Sequence, residues 1–149
     1  MKVIVGVDDS PCSKAALRWV RESRWPPGTT FVIVSAVELA AYTLVEPGSA
    51  AVYQQVREGE IRSRAALVAG AEAEFSRAQL AVKGRVEDGD PRDILVRVAE
   101  SERADLVVVG SHGRTGLPRL LMGSVASHVV AHAPCNVLVV KRGAEGTRS

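Results

Sequence analysis

The stretch Gly110–Ser124, GSHGRTGLPRLLMGS, follows the short β-branched run Leu106-Val107-Val108-Val109 and precedes Val125, Val129 and Ala133 at helical spacing. Those periods read as a buried strand that runs through a glycine-rich loop into a helix. Gly110, Gly113, Gly116 and Gly123 leave no side chain between backbone and ligand and are free to take positive φ. The helix opening at Gly123-Ser124 presents N–H groups that lack intrahelical acceptors, at the positive end of its dipole. No Asp or Glu lies between Leu106 and Ala144, whereas His112, Arg114 and Arg119 sit inside the loop. This is the chemistry of an anion site, and phosphate suits it.

Outward from this loop, the chain repeats one unit. Lys2–Val7 is apolar almost throughout, as a strand covered on both faces would be, and ends in Asp8-Asp9. Ser10-Pro11 supplies an N-cap and a first-turn proline, and Ala16, Leu17 and Val20 form a stripe opposite Lys14, Arg18, Arg21 and Glu22. Trp25-Pro26-Pro27-Gly28 ends this helix. Thr29–Val37 is the second strand. Residues 38–55 show no sustained period, and a connection of that length suits a lid or a partner surface.

A long helix is predicted from Val56 to Gln79 on Ile61, Ala65, Val68, Ala71, Phe75 and Ala78, with Gly70 weakening it. Leu80–Val86 is the third strand, and Lys83 and Gly84 suit an edge position. Asp90-Pro91 repeats the cap-and-proline start, with Ile94, Leu95, Val98 and Ala99 as the apolar face. Asp105–Val109 is strand four, Ser124–Ala133 helix four, and Asn136–Lys141 strand five after Pro134. The order βαβαβαβαβ implies an α/β fold, an open parallel sheet of five strands with right-handed crossovers and helices on both faces. One domain is expected over residues 1–142, with a polar, disordered tail over 143–149.

Composition narrows the function classes. With 149 residues, 46% of them hydrophobic, the chain is of single-domain size. Its net charge of +2 is dispersed, which argues against nucleic acid or a membrane surface as partner. No apolar run approaches the roughly 20 residues that span a bilayer, and MKVIVGVDDS is no signal peptide, so a cytoplasmic location is expected. Cys12 and Cys135 lack any paired spacing and read as free thiols. His128 and His132 lie four apart, but with only Cys135 nearby and no carboxylate they read as an exposed helix face rather than a metal site.

The chain resembles the universal stress protein family. Glycine, two residues, glycine, nine residues, glycine and Ser or Thr is that family's nucleotide-binding signature, and here it falls on Gly110, Gly113, Gly123 and Ser124. The resemblance extends from MKVIVGVDDS to CNVLVVK. It implies a Rossmann-like sheet in the order 3-2-1-4-5, which periodicity cannot supply. That order makes the ends of strands one and four a topological switch point, where open α/β sheets bind ligands. The resemblance also implies ATP as ligand, and beside a triphosphate Asp8 would either accept from ribose hydroxyls or face a bound Mg²⁺. Asp8 and the backbone at Ala36 would lie near the nucleoside, Val109 and Gly110 near the ribose and α-phosphate, and Gly113, Gly123, Ser124 and Val125 at the phosphates. His112 and Arg114 join the candidate binding residues from within the loop. Ala126 replaces a Thr found in some members, and Asn136 a common Pro. A homodimer through the C-terminal strand, and an unidentified protein partner, are further implications.

Catalysis is not called for. There is no GxxxxGK[ST] P-loop, no nucleophile with a base, and the adjacent Asp8-Asp9 leave a strand pointing different ways. The expectation is an ATP-binding regulatory or stress-response module, with a slow ATPase or a ligand-free interaction module as alternatives.

Overall fold

The computed structural model describes residues 1–38, 50–113 and 121–143. Its elements are β1 (Lys2–Gly6), α1 (Pro11–Glu22), β2 (Thr30–Val37), α2 (Ala50–Arg77), β3 (Ala81–Asp88), α3 (Pro91–Ser101), β4 (Leu106–Gly110), α4 (Ser124–His132) and β5 (Asn136–Val140). All strand pairs are parallel, and the five strands lie in the order β3-β2-β1-β4-β5. The expected α/β sheet and its order are therefore both present.

Alternation along the central strands divides the core into two layers. Val3, Val5, Phe31, Ile33 and Val108 pack with Ala16 and Val20 of α1 and Val68, Ala71 and Phe75 of α2. Ile4, Val32, Val34, Val107 and Val109 pack with Ile94, Leu95 and Val98 of α3 and Ala126 and Val129 of α4. With both faces covered, β1 and β4 have no polar side to show, which is why their sequences are apolar without interruption.

The helix starts follow local chemistry. Ser10 Oγ accepts from the Ser13 N–H at 3.2 Å and Asp90 Oδ1 from the Arg92 N–H at 2.9 Å, each ahead of a proline in the first turn. Two expectations need correction. First, α1 stops at Glu22, before the proline pair, because Ser23 turns its N–H and its hydroxyl back onto the Trp19 carbonyl at 3.0 and 2.6 Å. Second, α2 begins at Ala50 and so takes residues 50–55 out of the supposed connection. The helix passes through Gly70 unbroken, and that position faces open space. Its buried positions are Arg64, Val68, Ala71 and Phe75, whereas Ala65 and Ala78 face outward. A lid over residues 39–49 and a tail over 144–149 fall outside the described residues. Among the described residues, no helix is long and apolar enough to cross a membrane.

Candidate functional site

β1 and β4 are adjacent and parallel, yet β1 feeds α1 on one face of the sheet and β4 feeds α4 on the other. The two connections part at the carboxyl ends of these strands, as they must at a switch point. A cleft of about 470 Å³ opens there. Asp8, Ala36, Val109, Gly110, His112, Gly113, Gly123, Ser124 and Val125 all line it. Residues far apart in the chain thus meet on one wall. Arg114, like Gly116 and Arg119, lies outside the described residues.

The turn leaving β1 is held by its own side chains. The Asp8 N–H donates to Ser13 Oγ at 2.9 Å, while Asp8 Oδ1 accepts from the Ser10 N–H at 2.8 Å, an Asx turn. One carboxylate oxygen is thereby committed to the backbone. The other, Oδ2, faces the glycine loop, where a β-carbon on Gly113 would lie 3.1 Å from it. Asp8 consequently shapes the turn and keeps an acceptor turned toward the loop.

The glycine loop is pinned where it begins and ends. The Ser111 N–H donates to the Val140 carbonyl at 2.8 Å and so continues the β4–β5 ladder, and the Gly123 N–H donates to the Ser111 carbonyl at 2.7 Å. His112 adds a second clasp. Its Nδ1 lies 3.0 Å from Ser111 Oγ, and its Nε2 is hydrogen-bonded to the Leu121 carbonyl. A carbonyl only accepts, so Nε2 carries a proton, and in the neutral ring Nδ1 accepts from Ser111. Both ring nitrogens are occupied, Nε2 in joining the two ends of the loop and Nδ1 with the neighbouring Ser111 hydroxyl.

The motif glycines act by close approach rather than through positive φ, which among described glycines occurs only at Gly28 and Gly89. Gly123 has φ −62° and caps α4 without any side-chain hydrogen bond, and a β-carbon there would lie 3.0 Å from the Ser111 carbonyl oxygen. Ser10 and Asp90 cap α1 and α3 with side chains, but α4 starts bare. Its first N–H groups, those of Ser124, Val125 and Ala126, belong to residues that line the cleft. No acidic residue occupies that first turn. The arrangement can donate several hydrogen bonds to an anion at the positive end of a helix dipole.

Sequence reasoning missed Arg64. This residue of α2 lines the cleft with its side chain only 5% exposed, and it is the sole Lys or Arg among the described lining residues, against the carboxylates of Asp8, Glu38 and Glu60. Counting back from Phe75 through Ala71 and Val68 by helical steps leads to position 64, a signal hidden by the expectation that a buried stripe is apolar. On α4, His132 is exposed, while His128 is half-buried with Nε2 3.7 Å from Asp93 Oδ1. The His128 and His132 rings stack at 4.1 Å, and no group of three or more His, Cys, Asp or Glu among the described residues is placed to hold a metal.

The universal stress protein family model matches residues 1–141. Universal stress protein MJ0531 of Methanocaldococcus jannaschii is 51% identical over 55 residues, which are 37% of this chain and 32% of that protein. A universal stress protein A-like protein of Arabidopsis thaliana is 36% identical over 64 residues, 43% of this chain and 37% of its own, so the chain spans about a third of the length of these curated relatives. Among solved structures, that of MJ0577 from M. jannaschii superposes with a TM-score of 0.86 at 23% identity, covering 95% of this chain and 96% of the other. A universal stress protein in complex with cAMP gives 0.63 at 27% identity, with 95% and 96% covered. An A. thaliana family member with AMP bound gives 0.72 at 21% identity, with 100% and 96% covered. With a family model spanning residues 1–141 and this sheet order beneath it, the chain belongs to the universal stress protein family.

Proposed function

We propose that this chain is an ATP-binding regulatory protein of the stress-response type, in which nucleotide occupancy biases a conformation or a partner surface rather than driving fast turnover. The observation that carries the reading is the bare N-terminus of α4, closed against Ser111 by Gly123 and facing Asp8 across one cleft. Its volume of about 470 Å³ falls within the range of small-ligand sites. The cAMP and AMP complexes of family members support a nucleotide as the occupant.

In this reading the N–H groups of Gly113, Ser124 and Val125 and the Ser124 hydroxyl hold the phosphates, with Gly123 providing the close approach. Val109 and Gly110 flank the ribose and α-phosphate, Ala36 lies toward the nucleoside, and Arg114 adds charge from the loop. Mg²⁺ typically takes one or two carboxylates plus phosphate oxygens, and Asp8 Oδ2 is the carboxylate oxygen turned toward the loop. When bound, the ion would neutralise the repulsion between Asp8 and a triphosphate. His112 serves the loop rather than proton transfer, because both its nitrogens are engaged. The protein works in the cytoplasm as a homodimer joined along β5 and passes its state to a protein partner.

Freshly purified protein, denatured and chromatographed, should release ATP, or ADP after slow hydrolysis. A Gly123→Ala variant, folded by circular dichroism, should release neither, since its methyl would part the loop from Ser111. Native protein that carries no nucleotide and takes up none when ATP is added would leave the ligand-free interaction module as the better reading.

A further inference from the structure

Arg64 is a charged group in a position built for an apolar one. It continues the row Val68, Ala71, Phe75 that α2 lays on the sheet, yet it ends in a guanidinium whose Nη2 stands 3.6 Å from Glu60 Oε2. Its Nε is fully buried and has no hydrogen-bond partner among the described residues. A buried charged donor without an acceptor is costly, so its persistence at the wall of a cleft points to a ligand that accepts from it.

Position in the sheet says which part of the ligand this is. Arg64 belongs to α2, which packs on β2 and β3, and it lines the cleft together with Ala36 and Glu38 at the end of β2 and Glu60 of α2. The glycine loop leaves β4, two strands away in the order β3-β2-β1-β4-β5, roughly 10 Å across the sheet at the usual strand spacing. A nucleotide whose phosphates sit at the glycine loop brings its nucleoside toward the α2 wall. We propose that Arg64 is a nucleoside-recognition residue, its Nε–H and adjacent terminal N–H donating to acceptors on the base or the ribose. The inference rests on the nucleotide reading above and adds to it the wall that reads the nucleoside. The planar guanidinium fork gives direction as well as charge, which a lysine there would not.

The test is calorimetric titration of the full chain and of Arg64→Met, which keeps the length of the side chain and removes its donors. The probes are ATP, adenosine, 2′-deoxyadenosine and inorganic tripolyphosphate. Loss of one or two charge-assisted hydrogen bonds should weaken ATP and adenosine by roughly tenfold to a hundredfold and leave tripolyphosphate unchanged. A 2′-deoxyadenosine affinity that falls equally in the variant assigns the acceptor to the base, and one insensitive to the variant assigns it to the ribose. The ligand-free variant should melt at or above the native temperature, because an orphaned donor has been removed. Unchanged ATP and adenosine affinities overturn the proposal, as does a loss confined to tripolyphosphate, or a lower ligand-free melting temperature with native affinities, which would mark Arg64 as structural. Native protein that binds none of the probes overturns the nucleotide reading and this inference together, whereas native binding preserved in the variant overturns this inference alone.

Discussion

A β-carbon at Gly110 would lie 2.8 Å from both the carbonyl carbon and the β-carbon of Cys12 and 2.9 Å from the Ser13 nitrogen. These are atoms of α1, backbone included, so the first glycine of the motif is needed where one helix crosses the end of β4. Its missing side chain is thus a packing requirement, alongside its place in the cleft lining. Gly110→Ala should therefore destabilise the fold by about 1–3 kcal/mol through overpacking, visible as a lower urea midpoint with an unchanged slope. A midpoint equal to the native one would return Gly110 to a role in ligand approach alone. Gly123 differs, because its missing β-carbon makes room for the Ser111 carbonyl and so closes the loop. The spacing of the glycines was legible in the sequence. Their separate reasons were not, since each depends on a residue from another segment.

At the scale of elements, the C-terminal end of α3 carries a charge of the wrong sign for its dipole. Glu102 caps that end with its side chain 11% exposed, and it is held there by Lys83 Nζ at 2.8 Å, Lys2 Nζ at 2.9 Å and Arg85 Nη1 at 3.1 Å. It thus ties α3 to β1 and to the edge strand β3. The hydrogen bonds from Lys83 and Lys2 hold its pKa down from 4.5 to about 2. A carboxylate depressed on folding contributes stability that is complete above its unfolded pKa and is lost as pH falls toward the folded value. Melting temperature should accordingly drop between pH 4.5 and about 2, and Glu102→Gln should flatten that part of the profile while lowering stability at neutral pH. A variant that tracks the native profile through this window would remove Glu102 from the acid response. Caps of this kind show how far local chemistry carries a reading. Ser10-Pro11 and Asp90-Pro91 announced α1 and α3, because each cap acts within its own few residues. The start of α2 at Ala50 was not read from the sequence, because residues 38–55 show no sustained period. The buried face of α2 was legible at Val68, Ala71 and Phe75, whereas Arg64 was passed over for Ala65 because burial was expected to follow apolar residues.

For the whole molecule, periodicity identified every strand but could not order them, since order is a matter of contacts between segments a hundred residues apart. The family resemblance supplied it, and the resulting sheet has two unlike edges. β3 carries Lys83, Arg85 and Glu87, engaged in ion pairs with Glu102 and one another, and such charges discourage edge-to-edge pairing. At the other edge β5 presents Val137, Leu138, Val139 and Val140, half-buried and with no strand beyond them among the described residues. An apolar edge left without charges suits pairing with an identical edge across a two-fold axis. Light scattering on the purified chain should therefore read about twice its 15.8 kDa mass. Val139→Lys, which copies the device of β3 onto β5, should yield a monomer with native circular dichroism and native nucleotide content, since the cleft lies on the β1 and β4 ends rather than on this edge. A native chain that scatters as a monomer, or a folded variant that stays dimeric, would take β5 out of the interface and leave its apolar edge to the partner instead.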